Sequence, residues 1–400
     1  MVKKTAASTS KQEKAAPAKE KAKPAVKVVK ADPVETKQSK KEKDKKSKNN
    51  FDGTISIGIA DTKYRYLKNK ALMSMWRTVL GTPGFVKGKV YEFSGKSDVG
   101  KSALASSLAA DFQSQGETTG YNNVEKVLNK DFAIKLGYDP KKLVVINPHD
   151  GESAFLGACK IIRENNVKVL VFDSSGACTP RAVMNGESSM AQLARLTSVE
   201  MPKLDKEVDI NEVTVFMISQ VKDKPGVVFG NPEYVTGGSA VGFYSRVRIK
   251  LNAVEAEKGK DEMASQRIAY TVRMTVFKNH TGPKRTVPFD MVVDNMFRPL
   301  LPETAYKWAQ KFNLIDEKKN SVCGVEVTGK MTAANIVKAL DGNEAAVFDA
   351  VDAIFARLES GEKVALPEEE ADVGLDDVND SGDFTTVEIS EEELENSKKI

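Results

Sequence analysis

Residues 89–112 read KVYEFSGKSDVGKSALASSLAADF and pass from an apolar strand through a glycine-bounded turn into an Ala/Leu/Ser-rich helix. The turn, Gly95-Lys96-Ser97-Asp98-Val99-Gly100-Lys101-Ser102, has the spacing GxxxxGK[ST]. Its chemistry depends on that setting. Glycines let successive backbone amides curl toward a phosphate, and the helix N-terminus adds the positive end of its dipole. Lys101 is then expected to reach the β- and γ-phosphates of ATP, and Ser102 to ligate Mg²⁺.

Downstream, the apolar run KVLVFD ends at Asp173, with Ser174 and Ser175 after it. An acid at the end of a buried strand is where a phosphate-loop enzyme holds its metal, so Asp173 joins Ser102 as a candidate Mg²⁺ residue. The runs VYEFSG, KLVVIN, KVLVFDSS and VTVFMISQ are separated by helical stretches, which predicts a mostly parallel sheet with crossover helices. RVRIKLN and YTVRMTVF, joined by a polar Glu/Lys/Gly loop, predict a hairpin at one sheet edge. GTISIGIA predicts a half-buried strand, and residues 64–80 a helix. PETAYKWAQKFNLID and TAANIVKALDGNEAAVFDAVDAIFARLES predict amphipathic helices around a short extended piece. The expected fold class is α/β, a phosphate-loop ATPase core with a small α+β C-terminal lobe and two disordered tails. The expected divisions are a Lys-rich tail at 1–50, a strand and helix at 51–80, the core at 81–297, the lobe at 298–366 and an acidic tail at 367–400.

Charge is distributed unevenly. Residues 1–50 carry 16 Lys against 6 acids, and residues 368–400 carry 13 acids against 2 Lys, while the whole chain is only +4. Neither end has enough large apolar residues to offset its ordering entropy, so both are expected to be disordered. A basic head and an acidic tail suit a protein that handles a polyanion and regulates its own access to it. Cys159, Cys178 and Cys323 are scattered without CxxC spacing, which argues against a disulfide scaffold or a zinc site. No apolar stretch approaches the ~18 residues of a membrane span, and no hydrophobic signal core opens the chain. A soluble protein of a reducing compartment is expected, with no membrane partner.

GFVKGKVYEFSGKSDVGKSAL, VLVFDSSGACTPRA, VFMISQVKDKPGVVFGNPEYVTGGSAVGFYSRVRI and VFKNH fall in an order and spacing that resemble the bacterial and phage RecA family across roughly residues 80–290. GVVFGNPEYVTGG carries most of this likeness, because generic phosphate-loop ATPases lack it. The resemblance implies roles residue by residue. Glu125 takes the place of the carboxylate that orients the attacking water, and Gln220 that of the γ-phosphate sensor. Residues 221–236 resemble the second DNA-binding loop, with Lys222 and Lys224 for phosphates and Gly237 and Gly238 for close backbone approach to DNA. The first DNA loop would lie within Arg181–Met190, followed by Arg195 on a helix. Phe132 matches a ring that stacks on adenine. Lys278 matches a lysine that reaches the ATP of the neighbouring subunit, and His280 stands where a second lysine is usual. Asn123 stands where an acid is usual, and Pro225 where an apolar residue is usual.

The function so implied is a DNA-dependent ATPase that forms filaments on single-stranded DNA and exchanges it into homologous duplex. ATP and Mg²⁺ would be its cofactors. Its partners would be both forms of DNA, further copies of itself, and single-stranded-DNA-binding and mediator proteins. It would act in the cytoplasm of a bacterium or phage-infected host, at the nucleoid. The divergent loops lean toward a phage-encoded member. Two other readings belong to different classes: a ring helicase or other ATPase of the same fold, and a DNA scaffold that binds ATP but barely hydrolyses it. The first would need no FGNPE stretch; an ATPase assay with and without single-stranded DNA isolates the second.

Overall fold

Along strand β3 (Lys89–Gly95) the side chains alternate between two apolar layers, Tyr91 and Phe93 in one and Val90 in the other. The same alternation runs through β6 (Val169–Asp173), with Val169 and Val171 on one side and Leu170 and Phe172 on the other. Burial on both faces is what a parallel sheet covered by crossover helices requires. The computed structural model describes residues 61–188, 191–223, 233–258 and 267–367, all within one compact unit, Ala60–Ile400. The expectations for both tails and for the GTISIGIA strand lie outside the described residues.

The central sheet runs β11–β10–β9–β3–β7–β6–β4–β5, with β4 at Thr119–Asn123, β5 at Val144–Ile146, β7 at Thr214–Asp223, β9 at Ser245–Lys258, β10 at Arg267–Asn279 and β11 at Phe289–Asp294. From β9 to β5 every neighbour is parallel; β9–β10 and β10–β11 are antiparallel. A short strand, β8 (Glu233–Val235), pairs antiparallel with the far end of β7. Helices α2 (Lys101–Ser114) and α3 (Lys130–Lys135) cover one face; α4 (Gly151–Glu164), α6 (Gln192–Ile210) and α7 (Ser239–Tyr244) cover the other. A four-residue helix, α5 (Arg181–Met184), follows β6. The parallel sheet and the β9–β10 hairpin agree with the sequence. The sheet edge does not: β11 lies outside the hairpin, because Phe289, Met291 and Val293 find a buried face there.

Two further elements differ from expectation. The helix expected over 64–80 starts only at Lys70, since Tyr64–Arg65 (β1) pairs with Phe85–Val86 (β2) across α1 (Lys70–Leu80). Asn69 marks the boundary by accepting the Leu72 amide at 3.0 Å as N-cap. In the C-terminal part, α8 (Leu301–Lys311) is followed by a meander of β12 (Ile315–Asp316), β13 (Ser321–Val322) and β14 (Val325–Glu326). The second expected helix is two, α9 (Ala333–Leu340) and α10 (Glu344–Glu359), broken where Gly342 takes φ +80°. Trp308, Phe348 and Phe355 share one apolar cluster with Trp76 and Phe85. Arg285, 5% exposed, ties α10 to the core through Asp352 at 2.7 Å and Glu359 at 3.0 Å.

A candidate nucleotide-binding and catalytic site

The C-terminal ends of the parallel strands meet at one edge, and the site is built there. The phosphate loop leaves β3 at Gly95, where a Cβ would stand 2.4 Å from the Leu251 carbonyl oxygen. It enters α2 at Gly100, which has φ +83° and would drive a Cβ to 2.2 Å from the Phe297 ring. Any other residue at Gly100 meets both strain and collision. Between them Lys96, Ser97 and Asp98 are exposed and Val99 is buried, which anchors the loop while its outer rim faces solvent. Lys101 is 7% exposed and donates to the Lys96 carbonyl at 2.6 Å. Burial pushes its ammonium below the ordinary lysine value, against the opposing pull of Asp173, Glu125 and Asp98.

Asp173, 2% exposed, ends β6 beside Lys101 and Ser102. Tyr121 donates to its Oδ2 at 2.5 Å, while its Oδ1 is buried with no hydrogen-bond partner among the described residues. Burial raises this carboxyl above its usual range and Glu125 adds to the rise; Tyr121, Ser102 and Lys101 oppose it. A buried oxygen left unsatisfied beside a hydroxyl at a helix start fits Mg²⁺, which takes one or two protein oxygens and completes its shell with phosphate and water. No cluster of three or more His, Cys, Asp or Glu suited to a metal occurs among the described residues.

Glu125 follows β4 in a turn held from several sides. Its amide and that of Val124 donate to the Asp173 carbonyl at 3.2 and 2.9 Å. Its Oε1 accepts from the Ser174 hydroxyl and from Gln220 Nε2, the latter at 3.0 Å. Asn123 closes the turn with both ends of its amide: Nδ2 donates to Leu128 O at 3.2 Å and Asn147 Oδ1 at 3.0 Å, and Oδ1 accepts Leu128 N at 3.1 Å. An ionised acid there has no donor to offer, which gives the Asn a reason. The Gln220 carbonyl in turn accepts the Thr236 amide at 2.8 Å and its hydroxyl at 3.0 Å. A carboxylate poised beside a phosphate loop is thus joined, through one glutamine, to both feet of the segment that begins at Val221.

Phe132 lies on α3, half-buried, on a shallow cavity of about 360 Å³ shared with Val127, Asn129, Asp131 and Lys135. Lys278 and His280 are not brought to Lys101. Lys278, on β10, is separated from β3 by β9 and donates to the Gly242 and Phe243 carbonyls at 2.9 and 3.2 Å. His280 follows β10, exposed, its amide bound to Arg246 O at 2.8 Å. Arg181 binds Asp150 at 2.9 Å and Ser153 at 3.0 Å, which pins the start of the first loop to the N-terminus of α4. Arg195 on α6 and Lys222 on β7 are exposed; Lys224 and Pro225 lie outside the described residues. Gly237 and Gly238, φ +111° and +80°, pack against protein: a Cβ would stand 3.2 Å from Ser175 Oγ at the first and 3.0 Å from Ala194 Cα at the second. The sequence reading missed Tyr121, Ser174 and Thr236. The serine directly follows Asp173, which is the one local signal that pointed to it.

The chain matches the RecA N-terminal domain family over residues 69–297. Protein RecA of Paramagnetospirillum magneticum is 36% identical over 217 residues, covering 53% of this chain and 59% of that protein. Protein RecA of Leptospira biflexa is 34% identical over 220 residues, covering 54% and 56%. The chain thus spans somewhat over half the length of these curated relatives. Among solved structures, a KaiC-like protein from Pyrococcus horikoshii overlaps 58% of this chain and 95% of its own, with a TM-score of 0.41 at 13% identity.

Proposed function

The chain belongs to the RecA family, and on that premise we propose that it is a DNA-dependent ATPase that assembles on single-stranded DNA and pairs it with homologous duplex. The observation that carries the reading is Gln220, whose side chain holds Glu125 while its backbone holds Thr236. A γ-phosphate arriving beside Glu125 alters that contact, and the change reaches the loop between β7 and β8. ATP therefore sets the grip on DNA, and hydrolysis relaxes it.

In the proposed reaction Lys101 leaves the Lys96 carbonyl for the β- and γ-phosphates, and the amides of Gly95–Ser102 cradle them. Glu125 orients the attacking water, with Ser174 and Gln220 fixing its carboxylate. Mg²⁺, held by Ser102 and Asp173, would offset phosphate charge. Phe132 would face adenine. Lys278 on β10 and His280 just after it have β9 between them and the strand that leads into their own phosphate loop, which suits a role at the ATP of the next subunit in a filament. Arg181, Arg195, Lys222, Lys224 and the Gly237–Gly238 backbone would line the path of DNA. Sequence is then read by base pairing between strands, so the protein needs no base-specific side chain. Single-stranded-DNA-binding and mediator proteins would assist, in the cytoplasm at the nucleoid.

Strand exchange between circular single-stranded DNA and homologous linear duplex, with ATP and Mg²⁺, tests the proposal. Joint molecules should form only with both cofactors. DNA-stimulated hydrolysis without joint molecules would instead make the chain an ATPase of another kind.

A further inference from the structure

Lys96 has so far served as a backbone link in the phosphate loop, and Glu233 has no role. Their side chains meet. Lys96 Nζ lies 3.4 Å from Glu233 Oε1, and Glu233 Oε2 accepts a 2.6 Å bond from Lys250 Nζ. Lys250, 6% exposed, is in register with Ser94 where β3 runs into the phosphate loop. Glu233 opens β8, whose residues pair with Val221, Lys222 and Asp223 of β7. One carboxylate, at the return foot of the second loop, therefore stands between a buried lysine of the sheet and a lysine of the phosphate loop.

The two contacts differ in kind. Breaking the Lys250 contact would leave a buried charge uncompensated, so it acts as a fixed point. The Lys96 side chain is 55% exposed, and such a contact is small and readily exchanged. The Lys96 carbonyl is also the acceptor of Lys101 Nζ. A phosphate that draws Lys101 away releases that carbonyl, and the Lys96 peptide then turns with its side chain relative to Glu233. Gln220, itself on β7, joins the same hairpin to Glu125 by its side chain and to Thr236 by its carbonyl.

We infer that Lys96 and Glu233 form a positioning pair that carries phosphate binding to β8, a second link from nucleotide to the loop besides Gln220. The inference rests on the proposed ATP-controlled DNA grip, and its test separates the two. Amide hydrogen exchange is followed at Val221, Tyr234 and Val235 of the full chain, with and without saturating ATP and Mg²⁺. Lys96→Gln keeps the carbonyl and removes only the charge. The ATP-induced change at Tyr234 and Val235 should fall about 3-fold, within the range of one exposed ion pair, and persist at Val221. Lys96→Arg should restore it. Glu233→Gln should reduce it as well; because that change leaves Lys250 opposite a neutral amide and risks misfolding, Lys96→Gln carries the test. An undiminished response in Lys96→Gln, or an equal loss in Lys96→Arg, overturns the pair. If a fluorescent single-stranded oligonucleotide fails to bind the unmodified chain while β8 still responds to ATP through Lys96, the recombinase reading falls and the pair stands.

Discussion

Removing the Gln220 side chain tests the proposed coupling at its narrowest point. Gln220→Ala deletes the 3.0 Å bond to Glu125 but keeps the carbonyl that holds Thr236, so the foot of the loop stays anchored. A hydrogen bond to a charged acceptor contributes about 1.5–3 kcal/mol. Gln220 and Glu125 are both half-buried, which places this bond at the lower end, near 1.5 kcal/mol. At 1.4 kcal/mol per decade, the ratio of single-strand affinity with ATP to that without should shrink ~10-fold. Fluorescence anisotropy of a labelled oligonucleotide, with and without a slowly hydrolysed ATP analogue, reads that ratio directly. Salt must be held constant, because phosphate contacts make affinity steeply salt-dependent. A ratio equal to that of the unmodified chain, with the analogue shown to be bound, would refute the relay.

Lys101→Ala should abolish DNA-stimulated phosphate release, and Glu125→Gln should lower turnover by ~10²-fold or more while ATP and DNA still bind, the scale of a lost general base. Burial raises the Asp173 carboxyl, so its favourable contribution to the nucleotide-free fold is present below the unfolded-state pKa and lost as pH rises through the folded one. Asp173→Asn should therefore raise the neutral-pH melting temperature of the free chain by a few degrees, less so in acid, and remove the Mg²⁺ dependence of ATP binding; a lower neutral melting temperature would contradict this. Deleting residues 368–400 should raise duplex affinity, while deleting residues 1–48 should lower it and flatten its salt slope. Titrations of both truncations across a salt series measure the two shifts, and no shift at low salt would make the tails inert toward DNA.

What was legible in the sequence was local. GKSDVGKS declares itself because strand, glycine turn and helix are contiguous, and Asp173 because it ends an apolar run. The β9–β10 hairpin shows in two adjacent β-rich runs. What was hidden depends on contacts far apart in the chain. Tyr64–Arg65 becomes a strand only because Phe85–Val86 returns to it, and helix periodicity cannot foresee that pairing. FDMVVD takes the sheet edge because β10 offers it a partner. Glu125 is fixed by Ser174 and Gln220, 49 and 95 residues away, so its sequence neighbours say little about its orientation. Family likeness supplies only its proposed role, and geometry shows what holds the carboxylate in place. At Gly237 and Gly238 packing adds a demand that no sequence neighbour reveals: besides the close approach proposed for DNA, a Cβ there would meet Ser175 and Ala194.

That packing has a mechanical consequence. The turn after Asp173 touches the proposed relay and the strand that carries Gln220: Ser174 binds Glu125, and Ser175 binds Ser219 Oγ and Ile218 O at 3.0 and 3.2 Å. Gly176 lies so close to Thr236 that a Cβ would stand 2.1 Å from its hydroxyl. Five residues further on, Arg181 starts the first candidate DNA loop, pinned to α4 by Asp150 and Ser153. Close-packed groups transmit a displacement because they have no slack to absorb it. In the proposed mechanism, a shift of Glu125 on phosphate binding would bear on Ser174 and Gln220 together, and through Thr236 on the return of the candidate second loop. The strand end proposed to hold Mg²⁺ is continuous with this same turn. The candidate nucleotide site and the starts of both candidate DNA loops thus border one short piece of backbone, and a glycine at 176 is the geometric condition for that junction to close.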